Sequence, residues 1–187
     1  MPTHVALLRG INVGGRNKVA MADLRKVVES LGHGDVATYI QSGNVVFTSR
    51  DTDTAAIAAE LGRALEETLG ARSGVVVLSR AELAKVVADN PFPDEADPRP
   101  IHAIFRSSEV GAEEAATVAA AERRARDKGG RDQVKIVGRA VYLRTPDGFG
   151  RSELAAQLVR RDPAAEDQGG TARNWATVTK LLAMLDA

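Results

Sequence analysis

The sequence predicts an α+β fold made of two ferredoxin-like (split βαβ) halves, the second degenerate and carrying an extra C-terminal helix. Three observations predict it. Within the first 79 residues, short β-branched runs alternate with helical periodicity in the order β-α-β-β-α-β. The stretch NPFPDEADPRP, residues 90–100, cannot continue a helix and marks an internal boundary. Beyond it the order β-α-β-β-α recurs. The expected domains are therefore residues 1–79 and residues 80–187, the second packed against the first.

Each element has its own local reason. The apolar run from His4 to Arg9 reads as the first strand. Met21, Leu24, Val27, Val28 and Leu31 repeat at helical spacing, and Gly32 is a natural stop. VATYIQSGNVVFT then reads as a hairpin around Ser42-Gly43-Asn44. A second helix is expected from about Thr54 to Leu69, with Ile57, Leu61, Leu65 and Leu69 four apart and Gly70 closing it. Val75 to Leu78 completes the first half as a short buried strand.

Ser79-Arg80-Ala81-Glu82 has the form of a capping box and opens a short helix carrying Leu83, Val86 and Val87. After the prolines, Ile101 to Arg106 reads as a strand and Ala112 to Lys128 as an alanine- and charge-rich helix. QVKIVGRAVYLR is a hairpin whose Gly138-Arg139 suits a type II′ turn. A helix with Leu154, Leu158 and Val159 follows, then the connector RDPAAEDQGG. The last helix carries Trp175, Val178, Leu181 and Leu182, standing where a fourth strand could have been.

Composition narrows the function classes. The 187 residues are 44% hydrophobic and 27% charged, as in soluble globular proteins. Lys plus Arg and Asp plus Glu balance at 25 each, so no global field draws the chain to nucleic acid or anionic lipid. The chain has no Cys, which excludes disulfides, thiolate metal sites and cysteine nucleophiles. MPTHVALLRG lacks the pattern of a signal peptide, and no apolar run reaches membrane-spanning length. A cytoplasmic location and no membrane partner are the expectations. His4, His33 and His102 show no metal-ligand spacing, and a GxSxG elbow is missing, so no metal site is expected.

Four polar stretches remain. RGINVGGRN falls one step short of the P-loop pattern: Arg16 stands in place of lysine and Asn17 in place of the magnesium-binding hydroxyl. It is either a glycine-rich corner or an anion contact, for it gathers Arg9, Asn12, Arg16, Asn17 and Lys18 around Gly14 and Gly15, whose N–H groups can approach an anion closely. Ser42, Gly43 and Asn44 are ordinary turn residues at a hairpin tip. DGFGRS leads into a helix with Arg151 before Ser152, a reasonable cap. TARNW places Thr171 as a cap, with Arg173 and Asn174 behind it. Capping explains each of the last two by itself. The mixed-charge run Ala121–Asp132 reads as a solvated helix end, and Asp94, Glu95 and Asp97 as solvating the proline-rich linker.

Taken together, ALLRGINVGGRNKVAMADLRKVVESLG, TYIQSGNVVF, GFGRSEL and TARNWATVTKLL resemble the bacterial family called domain of unknown function 1697, in order from residue 6 to about 182. The resemblance implies a pair of interlocked ferredoxin-like halves and no particular activity. Its signature falls on Arg9, Gly10, Asn12, Gly14, Gly15, Asn17, Ser42, Gly43, Asn44, Gly150, Arg151, Ser152, Thr171, Arg173, Asn174 and Trp175. This chain departs from it at Arg16 and Glu153, where lysine is usual, at Ala20 for proline, and at Ala176 for asparagine.

The signature is mostly polar and mostly in loops, which suits ligand contact better than packing. The leading expectation is a pocket for a phosphate-bearing small molecule or nucleotide, lined by Arg9, Asn12, Gly14, Gly15, Arg16, Asn17, Lys18, Ser42, Gly43, Asn44, Arg151, Ser152, Thr171, Arg173 and Asn174. One alternative is single-stranded nucleic-acid binding, with Tyr39, Phe47, Phe105 and Tyr142 as platforms. The other is a regulatory or self-assembling module without enzymatic activity. No reaction or cofactor is legible.

Overall fold

The computed structural model describes residues 1–13, 17–159 and 170–187. The chain divides into two compact units, Met1–Lys85 with Thr179–Ala187, and Val86–Val178. Each contains one four-stranded antiparallel sheet.

In the first, β1 (His4–Leu8), β2 (Gly34–Tyr39), β3 (Asn44–Thr48) and β4 (Val75–Ser79) lie in the order β2-β3-β1-β4. Helix α1 (Met21–Ser30) joins β1 to β2, and α2 (Thr54–Leu69) joins β3 to β4. This is the split βαβ arrangement, and it follows from pattern. β1 is buried at every position, as a central strand covered on both faces must be. α2 buries Ile57, Leu61 and Leu65 along one stripe. It starts at Asp53, whose carboxylate accepts from the Ala55 and Ala56 N–H groups, and stops at left-handed Gly70. These faces meet Ala6, Leu8, Val45 and Phe47 in one core.

The second unit repeats the plan with β5 (Ile101–Phe105), α4 (Ala112–Asp127), β6 (Gln133–Val137), β7 (Ala140–Arg144), α5 (Glu153–Val159) and β8 (Thr171–Asn174), in the sheet order β6-β7-β5-β8. Ile104, Val141 and Leu143 pack with Val118, Ala121, Leu154 and Leu158 as its core. The β6–β7 hairpin turns through two residues. Gly138 sits at φ 59° and Arg139 is not left-handed, as a type II′ turn requires. Buried Arg106 donates to Glu114 at 2.7 Å and to the Leu158 carbonyl at the end of α5. A cation placed there also complements the helix dipole.

One expectation is corrected. Thr171 does not cap the last helix. It begins β8, which pairs with β5 from Phe105↔Thr171 to His102↔Asn174. The fourth strand of the second half therefore exists, short and polar though it is. A hydrophobic pattern could not announce it, because its backbone ladder, and not its side chains, defines it. Helix α3 (Arg80–Ala88) follows β4 as α6 (Trp175–Leu185) follows β8. The capping box at Ser79 and Glu82 forms in both directions, at 3.2 and 2.7 Å. The connector RDPAAEDQGG lies outside the described residues except for Gly170.

Candidate functional site

Within the first unit, the loop after β1, the β2–β3 turn and the segment before β4 meet at one end of the sheet. Asparagines hold them there. Asn12 donates from Nδ2 to the carbonyls of Val19 and Gln41, both at 2.9 Å, and accepts the Val19 N–H at 2.9 Å. Asn17 donates to the Arg72 carbonyl at 2.8 Å. Both asparagines are left-handed, a conformation they tolerate better than most residues. Asn44 is wholly buried and donates to Tyr39 O at 3.0 Å and Ser42 Oγ at 2.9 Å. These amides, expected to face a ligand, are engaged with the protein's own backbone.

Gly43 is also structural. It sits at φ 75°, and a Cβ there would lie 2.7 Å from both Leu8 Cβ and Ile11 Cδ1. Of the remaining polar members of this set, Ser42 and Lys18 are exposed and Arg9 is half-buried, with its N–H bonded to Gly74 O and Ser73 Oγ. Gly14, Gly15 and Arg16 lie outside the described residues.

In the second unit the DGFGRS stretch forms a turn, 3₁₀-helical at Phe149–Arg151, beside the end of α4. Ser152 caps α5, accepting the Ala155 N–H at 2.8 Å and donating to Asp132 Oδ2 at 2.6 Å. Against this turn lies a cleft of about 180 Å³, lined by Ala125, Lys128, Gly130, Arg131, Asp132, Asp147, Gly148, Arg151, Ser152 and Glu153.

Its charges are organised. Lys128 pairs with Glu153 at 2.8 Å and Arg131 with Asp147 at 2.5 Å. Hydrogen bonding to Arg131 holds the Asp147 carboxyl below its ordinary range, and Arg151 adds to that pull. The exposed Arg151 side chain has no hydrogen bond or ion pair among the described residues. Lys128, Arg131 and Asp132 belong to the run expected to be a solvated helix end; Lys128 and Arg131 are indeed exposed, and all three also line the cleft. Nothing in their spacing signals it, since the cleft forms only where α4 ends against the turn before α5. The reading of Glu95 is corrected: it is mostly buried and bonds Arg144 at 2.7 Å, instead of solvating the linker.

β8 distributes the TARN residues differently. Asn174, registered against His102, accepts the Thr177 N–H at 2.8 Å and so caps α6, the role expected of Thr171. The His102 ring stacks on Phe149 at 4.1 Å, which brings Asn174 and the GFGRS turn to the same end of the sheet. Burial pulls His102 down to about 4, against the opposing effect of a hydrogen bond to the Pro100 backbone. Thr171 is at the other end of the strand. Arg173 is buried, donating to Thr171 Oγ1 at 2.6 Å and to Ala172 O at 2.8 Å, and desolvation pulls its guanidinium down to about 10. Ser152 and Arg151 therefore share the cleft, Asn174 lies at that end of the sheet, and Thr171 and Arg173 are engaged in the sheet.

Phe47, Phe105 and Tyr142 are fully buried, which removes them as stacking platforms for nucleic acid. No group of three or more His, Asp or Glu suited to a metal occurs among the described residues, and no helix there is long and apolar enough to cross a membrane.

Fold and site together define a duplicated split-βαβ protein with polar loops at its sheet ends. The model of the family described as protein of unknown function (DUF1697) matches residues 1–142, and the chain belongs to that family. Among solved structures it is similar to the conserved bacterial protein SP0830 from Streptococcus pneumoniae, at 24% identity and a TM-score of 0.71 over 98% of both chains. That likeness is one of fold. No curated protein matches.

Proposed function

We propose that this protein binds a small phosphate-bearing molecule, with the Arg151 cleft as its anion subsite. The observation that carries this reading is the unengaged guanidinium of Arg151 on a cleft whose other cations, Lys128 and Arg131, are already paired. A guanidinium offers planar, paired donors that match phosphate and carboxylate oxygens. Its two cationic neighbours stay with their own carboxylates, which leaves Arg151 as the cation open to a ligand. Arg9 and Lys18 are the described cations of a similar polar loop set in the first half.

Isothermal titration of the whole chain with a sugar phosphate tests the reading. Binding in the millimolar range or tighter, reduced at least tenfold by Arg151→Ala, is expected. Binding that survives Arg151→Ala unchanged would remove Arg151 as the anchor, and no binding by the unsubstituted chain would remove the reading itself.

A further inference from the structure

We infer that the ligand of the Arg151 cleft joins one anionic head to hydrogen-bond donors, hydroxyl or ammonium, and presents no aromatic ring to the cleft. This rests on the anion-subsite reading above. It comes from the cleft wall and from a count of lone pairs.

The wall has no face for a ring. Ala125 is its one apolar side chain, and no aromatic residue lines it. A nucleobase needs a flat apolar or π surface to recover what it loses on leaving water. At about 180 Å³ the cleft is also smaller than the sites that enclose drug-sized ligands. A nucleotide could place only its phosphate here.

The carboxylates have acceptor capacity left over. An ionised carboxylate has room for about four donors. Glu153 receives Lys128 on Oε2, and Asp132 receives Ser152 on Oδ2. Glu153 Oε1 and Asp132 Oδ1 receive no protein donor among the described residues. Asp147 differs, since Arg131 occupies both its oxygens.

Charge balance makes this selective. Lys128, Arg131 and Arg151 face Asp132, Asp147 and Glu153 around one small space. A bare phosphate would gain Arg151 but meet three carboxylates at close range. A ligand that brings hydroxyls or an ammonium alongside its anionic head turns Glu153 and Asp132 from repulsive neighbours into acceptors.

The test compares four probes by isothermal titration: inorganic phosphate, glucose 6-phosphate, O-phosphoserine and adenosine monophosphate. Each is run on the unsubstituted chain, Arg151→Ala and Glu153→Gln, with circular dichroism confirming that the variants are folded. The expected result is that glucose 6-phosphate or O-phosphoserine binds at least tenfold tighter than inorganic phosphate and adenosine monophosphate. Which of the two wins separates hydroxyl from ammonium donors. Glu153→Gln should shrink that preference while inorganic phosphate binds no worse. Equal affinity for all four, lost in Arg151→Ala, would overturn the donor requirement and leave the anion subsite standing. Tightest binding of adenosine monophosphate would also overturn it. Failure of every probe would overturn the anion subsite itself.

Discussion

The two halves have the same strand order and the same element sequence, yet their polar signatures occupy opposite ends of the repeat. In the first half the signature lies where β1 ends, and its asparagines are consumed in bracing three loops. In the second its Arg151-Ser152 part lies where β5 begins and frames a cleft with one cation left unengaged, while Thr171 pairs with Phe105 where β5 ends. The equivalent positions show the duplication plainly. His4 pairs with Ser79, His102 with Asn174, and each strand-ending residue caps the helix that follows. Each histidine also lies beside a phenylalanine, at 5.8 Å for His4–Phe47 and 4.1 Å for His102–Phe149. A shared backbone plan thus holds two different uses of the same residue types: asparagine and glycine for rigidity, arginine for an open face.

The two hairpins should separate the halves most sharply. Gly43→Ala must both hold an unfavourable φ and press a methyl into Leu8 and Ile11, so a loss of about 3 kcal/mol is expected in urea unfolding. Gly138→Ala meets nothing within 4 Å and should lose only about 1 kcal/mol, from φ alone. Equal losses would show that the first turn relaxes, and the bracing argument would fail.

Next come the asparagines. Asn12→Ala leaves the Val19 and Gln41 carbonyls and the Val19 N–H without their partner, and should cost about 2 kcal/mol. Asn174→Ala removes a helix cap and should cost about 1 kcal/mol.

The histidines give a pH test whose sign is determined. Burial lowers both, so between the ordinary value of 6.5 and the folded value, about 4 for His102, the unfolded chain binds more protons. The stability they contribute is complete above pH 6.5 and is lost as pH falls toward 4. At His4, His33 adds to the lowering while Glu82 and Asp51 act against it, whereas burial at His102 is opposed only by the Pro100 carbonyl and carries its value down to about 4. His102→Phe should therefore flatten the pH slope of the unfolding midpoint more than His4→Phe does. The opposite order would place the acid sensitivity in the first half.

The smallest stability effect belongs to Arg151→Ala, within about 0.5 kcal/mol, because that side chain is exposed and bonds to nothing in the described protein. Its large effect should fall on anion binding. A marked loss of stability instead would make Arg151 a structural residue, like the asparagines of the other half.

Much of the fold was legible along the chain. Helix α2 was readable from leucine spacing and its terminal glycine, and the capping box at Ser79 from four consecutive residues. β8 was not, because Thr-Ala-Arg-Asn has no strand pattern and becomes a strand only by pairing with β5. The site divides in the same way. Arg151 and Ser152 stood out in a motif, but Lys128, Arg131 and Asp132 looked like any solvated helix end. Asn12 and Asn44 looked like ligand donors because sequence shows a donor's type and not what it already holds.

By itself, then, the sequence determined the split βαβ plan of the first half, the limits of helices such as α2 and which polar residues merit attention, since periodicity, caps and turns are encoded within a few neighbouring residues. Only the tertiary structure decided which of those residues are occupied and which are open. Hydrogen bonds such as Asn12 to Gln41, and a cleft assembled from residues 125 to 153, depend on distances in space that local chemistry does not carry.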